Sequence, residues 1–210
     1  LIKLSDRLHN MRTLGNLPLE KRQRISRETI DIYAPLASRL GLYGIKVEME
    51  DLCFKHLFPE EYQAIAEMIQ QTKAQREDYI EQVTSQLKEF LGESNIKATV
   101  SGRPKHLWSI HQKLKRTGGD LDSLYDILAF RIIVERPAAC YESLGMIHSL
   151  WKPIPGRVKD YIALPKQNGY QSLHTAVFGP HSERIEVQIR TQEMHRAVEL
   201  GVAAHWVYKE

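Results

Sequence analysis

Apolar residues recur at helical spacing up to Ile96, and beyond it the pattern changes to short alternating runs. That switch limits the chain to helices first and a sheet-containing part second. Leu1, Leu4, Leu8 and Met11 share one helical stripe, and Ile25, Ile32, Leu36 and Leu40 mark a second helix that Pro35 should kink or break. Residues 47–57 read as a third helix, stopped by Pro59. Tyr62, Ile65, Ile69, Ile80, Val83, Leu87 and Phe90 then follow one long seam, which ends in the turn residues of LGESN. Past Ile96, KATVSG reads as a strand, 105–115 as a helix, ILAFRIIVE as a β-rich run and 138–151 as a helix. SLHTAVF and RIEVQIR are two strands joined by GPHSE, a hairpin, and 191–206 is a closing helix with Thr191 at its N-cap. The expected class is α+β, with a mixed sheet flanked by helices and a boundary near Pro59, giving segments 1–58 and 59–210.

The 210 residues, 42% hydrophobic and 26% charged, are enough for a real core. Lys and Arg number 29 against 26 Asp and Glu, a net +3 that is too small to argue for a duplex DNA binder. An RNA-binding domain ranks last, since only one Tyr-plus-cation loop speaks for it and the aromatic repeats of RNP-type sheets are missing, so no direct nucleic-acid contact is expected. Cys53 and Cys140 have no ligand spacing, and the default setting is reduced and cytoplasmic. No apolar run approaches the roughly 18 residues of a membrane span, and no secretory signal is present. The chain opens inside a helical pattern without Met and reads as a piece of a longer protein.

Three constellations carry chemistry. In SGRPKHLWSIHQKLK, helical spacing puts Lys105, Ser109 and Lys113 on one stripe and Leu107, Ile110 and Leu114 on another, with Arg103 just ahead. Two cations and a hydroxyl in line, with an Arg and a helix N-terminus at one end, suit a polyphosphate. Taken alone, the same stripe is better described as a solvated basic face. The second constellation is a pair of carboxylates. Asp126 stands at the entry of a β-run, and alternation in RIEVQIR sets Ile185, Val187 and Ile189 against Glu186, Gln188 and Arg190. Such acids can hold Mg²⁺ or take a proton in phosphoryl transfer, or they can form a wet face with cross-strand ion pairs. The third is RVKDYIALPKQNGYQSLHT at 157–175, with two tyrosines, four basic side chains and an Asn-Gly pair in a loop-like stretch. Tyr170 beside Gly169 can present its ring as a stacking platform, with Lys166, Asn168 and His174 as donors and Arg157 and Lys159 as cations. The alternative is a turn with Tyr170 tucked into the core. The convergence of four features favours a purine nucleotide.

SGRPKH, YDILAFR, the 157–175 stretch, EVQIRT and ELGVAAHWVYK together resemble the synthetase domain of RelA/SpoT homologues, the bacterial enzymes of the stringent response. LIKLSDRLHNMRTL resembles the end of that family's hydrolase domain, so the likeness covers the whole chain, closest to bifunctional SpoT/Rel members. The resemblance implies a nucleotidyltransferase-like domain at 59–210 that moves pyrophosphate from ATP to the 3′-hydroxyl of GDP or GTP. It gives Arg103, Lys105, Ser109 and Lys113 to the ATP phosphates and Asp126 to Mg²⁺. Glu186 activates the hydroxyl or shares the metal, and Tyr170 stacks on guanine. Lys166, Asn168, His174, Gln188, Arg157 and Lys159 surround the guanine nucleotide. RVKD at 157–160 matches the R-x-K-D signature of bifunctional members, where synthesis-only members are acidic. Asp6, Asn10 and Thr13, on one stripe of the first helix, match a partial hydrolase site whose Mn²⁺ needs upstream ligands. With nine His but no His-Asp doublet, no hydrolysis of (p)ppGpp is expected from this stretch alone. Gln112 stands where many synthetase-competent relatives carry a basic residue. A weak or silent synthetase that regulates a neighbouring hydrolase is therefore the alternative, and regulatory C-terminal domains are expected in the parent protein.

Overall fold

The structure, a computed structural model, describes residues 1–71, 73–116 and 128–200. They form two compact units: 1–71 with 106–116 and 197–200, and 73–105 with 128–196.

The first unit is helical. α1 (Ile2–Arg12) buries Leu4, Leu8 and Met11, the stripe its spacing predicts. α2 (Leu19–Glu28) runs into a π turn, Thr29–Tyr33, before α3 (Ala34–Arg39). Pro35 lacks an N–H and crowds the carbonyl four residues back, so the helix widens ahead of it instead of breaking. The inserted turn rotates the apolar stripe. Ile32 and Leu36, expected in the core, are 51% and 43% exposed, while Thr29, Ala34 and Ala37 are buried. α3 ends at Gly41, whose φ of +71° closes a Schellman motif through Leu42 N–H to Ala37 O (2.8 Å) and Gly41 N–H to Ser38 O (3.1 Å). That tight exit lets α4 (Tyr43–Leu57) begin four residues ahead of its apolar pattern. Pro59 opens α5 (Pro59–Gln71), where its missing N–H costs nothing. α5 packs within the helical unit, which runs to residue 71. α7 (Leu107–Arg116) packs on α4 and α5 through Phe54, Phe58, Trp108 and His111, with the Phe54 and His111 rings stacked at 4.5 Å.

The second unit is a five-stranded mixed sheet with helices packed on one face. Its strands are β1 (Ala98–Pro104), β2 (Leu128–Val134), β3 (Lys159–Asp160), β4 (Leu173–Phe178) and β5 (Arg184–Thr191), in the order β1-β2-β5-β4-β3. Only β2 and β5 are parallel. Val100, Phe130, Ile132, Leu173, Val187 and Ile189 point from one face into a core filled by Val83, Leu87 and Leu91 of α6 (Lys73–Glu93) and by Cys140 and Ile147 of α8 (Pro137–Leu150). α9 (Gln192–Leu200) starts where expected, with Met194 N–H donating to Thr191 Oγ1 at 3.2 Å. The last residues assigned to it by sequence, 201–206, lie outside the described residues. The class is the one the sequence predicts. β3, inside the loop-like stretch, is an addition.

Gly102 on β1 faces α6, where a Cβ would collide with Ile80 Cγ2. Ile80 is β-branched and stiff. Gly102→Ala is expected to lower the unfolding free energy by about 1–3 kcal/mol in urea titration, with Ile80→Ala relieving part of the loss.

Candidate functional site

Strand register gathers the chemistry on the face of the sheet opposite that core. Glu186 of β5 lies beside Ala129 of β2 and Ala176 of β4, and their small side chains leave room around its carboxylate. Gln188 is two residues on, and its cross-strand partner is His174, which in turn faces Lys159 of β3. Lys105 follows β1 directly, and its Nζ reaches Glu186 Oε2 at 3.3 Å. His174 Nδ1 lies 3.5 Å from Glu186 Oε1, and Gln188 Nε2 donates to the same oxygen at 3.4 Å. The Tyr170 hydroxyl meets His174 Nε2 at 2.7 Å, which completes a chain from ring to carboxylate.

The bond from His174 is the main cause of a Glu186 carboxyl lowered to about 2. Burial pushes the other way, while the Lys105 charge and Gln188 add to the drop. Held this way, Glu186 is a poor proton acceptor and a ready ligand for a hard cation. Its folded pKa is depressed, so its contribution, of the order of 3 kcal/mol, is present above about pH 4.5 and lost as pH falls toward 2. Glu186→Gln should flatten that part of the acid limb when unfolding free energy is measured against pH.

The loop before β4 is built around Tyr170. A turn closes with Gly169 N–H to Lys166 O at 2.8 Å, Gly169 supplies the φ of +75° that it needs, and Asn168 Oδ1 accepts the Tyr170 N–H at 3.2 Å. Asn168 therefore shapes the loop as well as standing in it. Tyr170 is only 9% exposed. It meets Tyr161 and His174 edge-on, and Lys166 Nζ sits 4.9 Å from its ring and 4.5 Å from that of Tyr161. The ring is therefore not an open platform: it is buried among Tyr161, His174 and Lys166, closer to the tucked-in alternative. Asp160 of the R-x-K-D signature anchors the same loop. It accepts the Ile162 and Ala163 N–H groups at 2.9 Å and the Tyr141 hydroxyl at 3.0 Å, and these bonds, led by that from Ala163, hold its carboxyl below the usual range. Arg157 and Lys159 are exposed.

Other expectations fare differently. Asp126 falls within 117–127, outside the described residues, and so does the side chain of Arg103, whose backbone pairs with Ala129. The helical stripe of Lys105, Ser109 and Lys113 does not form. α7 begins only at Leu107, because β1 runs to Pro104, so Lys105 belongs to the sheet unit and Ser109 and Lys113 to the helical one. The α7 N-terminus is not open to a phosphate either, since Asp51 Oδ1 takes the Trp108 N–H at 2.8 Å. Arg190, placed on the polar face by alternation, is 1% exposed. Sequence reading missed Tyr161, although it is one of the two rings counted in the 157–175 stretch. It also missed Asp51, whose partner is 57 residues away.

Asp6, Asn10 and Thr13 do come together. They line a cavity of about 670 Å³ in the helical unit with Lys3, Arg7 and Lys21. Its described lining supplies two carboxylates, Asp6 and Glu28, and no His or Cys, and Glu28 is tied to Arg7 at 2.9 Å. That donor set does not by itself make a Mn²⁺ site.

The fold is that of alarmone synthetases. The structure superposes on small alarmone synthetase 1 from Bacillus subtilis, solved bound to its product pppGpp, with a TM-score of 0.51 and 21% identity, over 69% of this chain and 84% of that one. Residues 102–210, more than half of the chain, match the region found in RelA / SpoT proteins, and residues 1–43 match the HD domain. The chain belongs to the RelA/SpoT family. It is 54% identical over 210 residues to a GTP pyrophosphokinase of Myxococcus xanthus and 53% to the bifunctional (p)ppGpp synthase/hydrolase SpoT of Escherichia coli K12. All of this chain is aligned in both, with 28% and 30% of those proteins, so it spans under a third of their length.

Proposed function

We propose that the protein transfers pyrophosphate from ATP to the 3′-hydroxyl of GDP or GTP, releasing AMP and guanosine tetra- or pentaphosphate for the stringent response. The observation that carries this reading is the convergence of Lys105, His174 and Gln188 on the ionised Glu186, next to Tyr170. In the transfer, the 3′-oxygen bonds to the β-phosphorus of ATP, the bond from that phosphorus to the bridging oxygen breaks, and AMP leaves with that oxygen. Lys105, with Arg103, Ser109 and Lys113, draws to the phosphates of ATP, and His174, with Lys159, Arg157 and Lys166, to those of the guanine nucleotide. Drawn away from Glu186, Lys105 and His174 no longer suppress its basicity, and the carboxylate accepts the 3′-hydroxyl proton. Tyr170 holds the guanine ring, and Asn168 and Gln188 orient the nucleotide. In the other role open to it, in place of taking the proton, Glu186 is an ionised oxygen donor of the kind Mg²⁺ takes alongside substrate phosphates, and with Asp126 it would hold that ion. When bound, Mg²⁺ supplies neutralisation of charge on the transferring phosphates.

On this reading 59–210 is the synthetase part and 1–58 the end of a hydrolase domain, with the regulatory C-terminal domains of the parent as further partners. Cys53 and Cys140 are buried thiols, pushed by burial up to about 12 and about 11, and they suit a reduced cytoplasm. Among the described residues no helix is long and apolar enough to cross a membrane. The second reading is a weak or silent nucleotide-binding synthetase domain that regulates a neighbouring Mn²⁺-dependent (p)ppGpp hydrolase, to which the cavity around Asp6, Asn10 and Thr13 would belong. The two are separated by incubating the protein with γ-labelled ATP, GDP and Mg²⁺. Label in guanosine tetraphosphate supports the transferase, and guanine-nucleotide binding without transfer supports the regulatory domain.

A further inference from the structure

α7 has no cap of its own. His106, whose carbonyl accepts the first helical bond from Ile110 N–H at 3.2 Å, carries none of the Ser, Thr, Asp or Asn oxygens that usually take the free N–H groups. The acceptor comes from α4 instead. Asp51 Oδ1 receives the Trp108 N–H at 2.8 Å, and the Leu107 N–H turns to the same carboxylate. Beside it, Glu50 Oε2 lies 3.3 Å from His106 Nε2 and 2.8 Å from Lys46 Nζ. The same His106 nitrogen is 2.9 Å from the Ser109 hydroxyl.

We infer that Asp51 and Glu50 are positioning residues for ATP. Asp51 fixes the start of α7, and Glu50 holds the His106 ring, whose two nitrogens lie 2.9 and 3.3 Å from the Ser109 hydroxyl. The inference rests on the proposed function, in which Ser109 and Lys113 hold ATP phosphates. An uncapped first turn frays, and Ser109 sits in that turn. A carboxylate at the helix start also takes the place an anion would occupy, so phosphates are gripped by the side chains of α7 and not by its free N–H groups.

The test compares variants of the protein by steady-state transfer, by binding of a non-hydrolysable ATP analogue and by amide exchange. Asp51→Ala is expected to raise the KM for ATP about tenfold, with kcat and GDP affinity within about twofold, and to speed exchange at the Leu107 and Trp108 amides. Asp51→Asn keeps an acceptor oxygen and should stay within about twofold of the unsubstituted protein. In a Lys113→Ala background, Asp51→Ala should add less than about twofold, since both act through one helix. Glu50→Gln leaves the α7 cap in place and should raise the KM for ATP about threefold, which keeps the inference testable if Asp51→Ala does not fold. An unchanged KM in both variants, or equal losses for ATP and GDP, overturns the inference. An unsubstituted protein that binds no ATP analogue overturns the proposed function, and the inference falls with it.

Discussion

Glu186→Gln is expected to lower pyrophosphate transfer by about 10²–10⁴-fold at saturating ATP and GDP, the range a positioned proton acceptor contributes. The substitution keeps the side chain's volume on β5 but removes the charge that Lys105 and His174 meet at 3.3 and 3.5 Å. Its hydrophobic neighbours Ile185 and Val187 point into the opposite core, so the sheet should stay intact. GDP affinity should change by no more than a few fold, which separates lost chemistry from lost binding. A fall of less than about tenfold in rate means that Glu186 neither takes the proton nor holds the ion.

Tyr170→Ala is expected to weaken GDP binding by about 5- to 150-fold, equivalent to the roughly 1–3 kcal/mol of a base–ring stack. The same ring also packs edge-on against Tyr161 and His174, and its hydroxyl is hydrogen-bonded to His174 at 2.7 Å, so the alanine variant loses more than a stacking partner. Tyr170→Phe divides these roles. It keeps the ring and should keep GDP affinity within about threefold, while freeing His174 and slowing transfer. Calorimetric titration with GDP reads the first effect and initial rates the second. If Tyr170→Ala binds GDP as tightly as the unsubstituted protein, Tyr170 is a core residue and the guanine lies elsewhere.

Much of this was legible in residue order, because alternation and helical spacing are local. RIEVQIR alone put Ile185, Val187 and Ile189 in the core and Glu186 and Gln188 on the polar side, and the strand does this. The α2–α3 stripe failed for a local reason of another kind. One π turn ahead of Pro35 shifts the phase, and a fixed period cannot anticipate it. The proposed Lys105–Ser109–Lys113 line failed because spacing says nothing about where a helix starts. β1 extends to Pro104 and the cap arrives from Asp51 on α4, a contact that no local pattern encodes. The meeting of Lys105, His174 and Glu186 is likewise set by strand order, with β5 inserted between β2 and β4. The sequence nominated those residues but could not place them at 3.3 and 3.5 Å. The cation over Tyr170 depends on side-chain packing and was equally invisible.

Catalysis by this route depends on where the carboxylates lie when both substrates are bound. A crystal structure with GDP, a non-hydrolysable ATP analogue and Mg²⁺ should show Glu186 within roughly 2.6–3.2 Å of the ribose 3′-oxygen, or sharing the ion with Asp126, with guanine against Tyr170. Glu186 still held by Lys105 and His174, with the 3′-oxygen well beyond that reach, would contradict it.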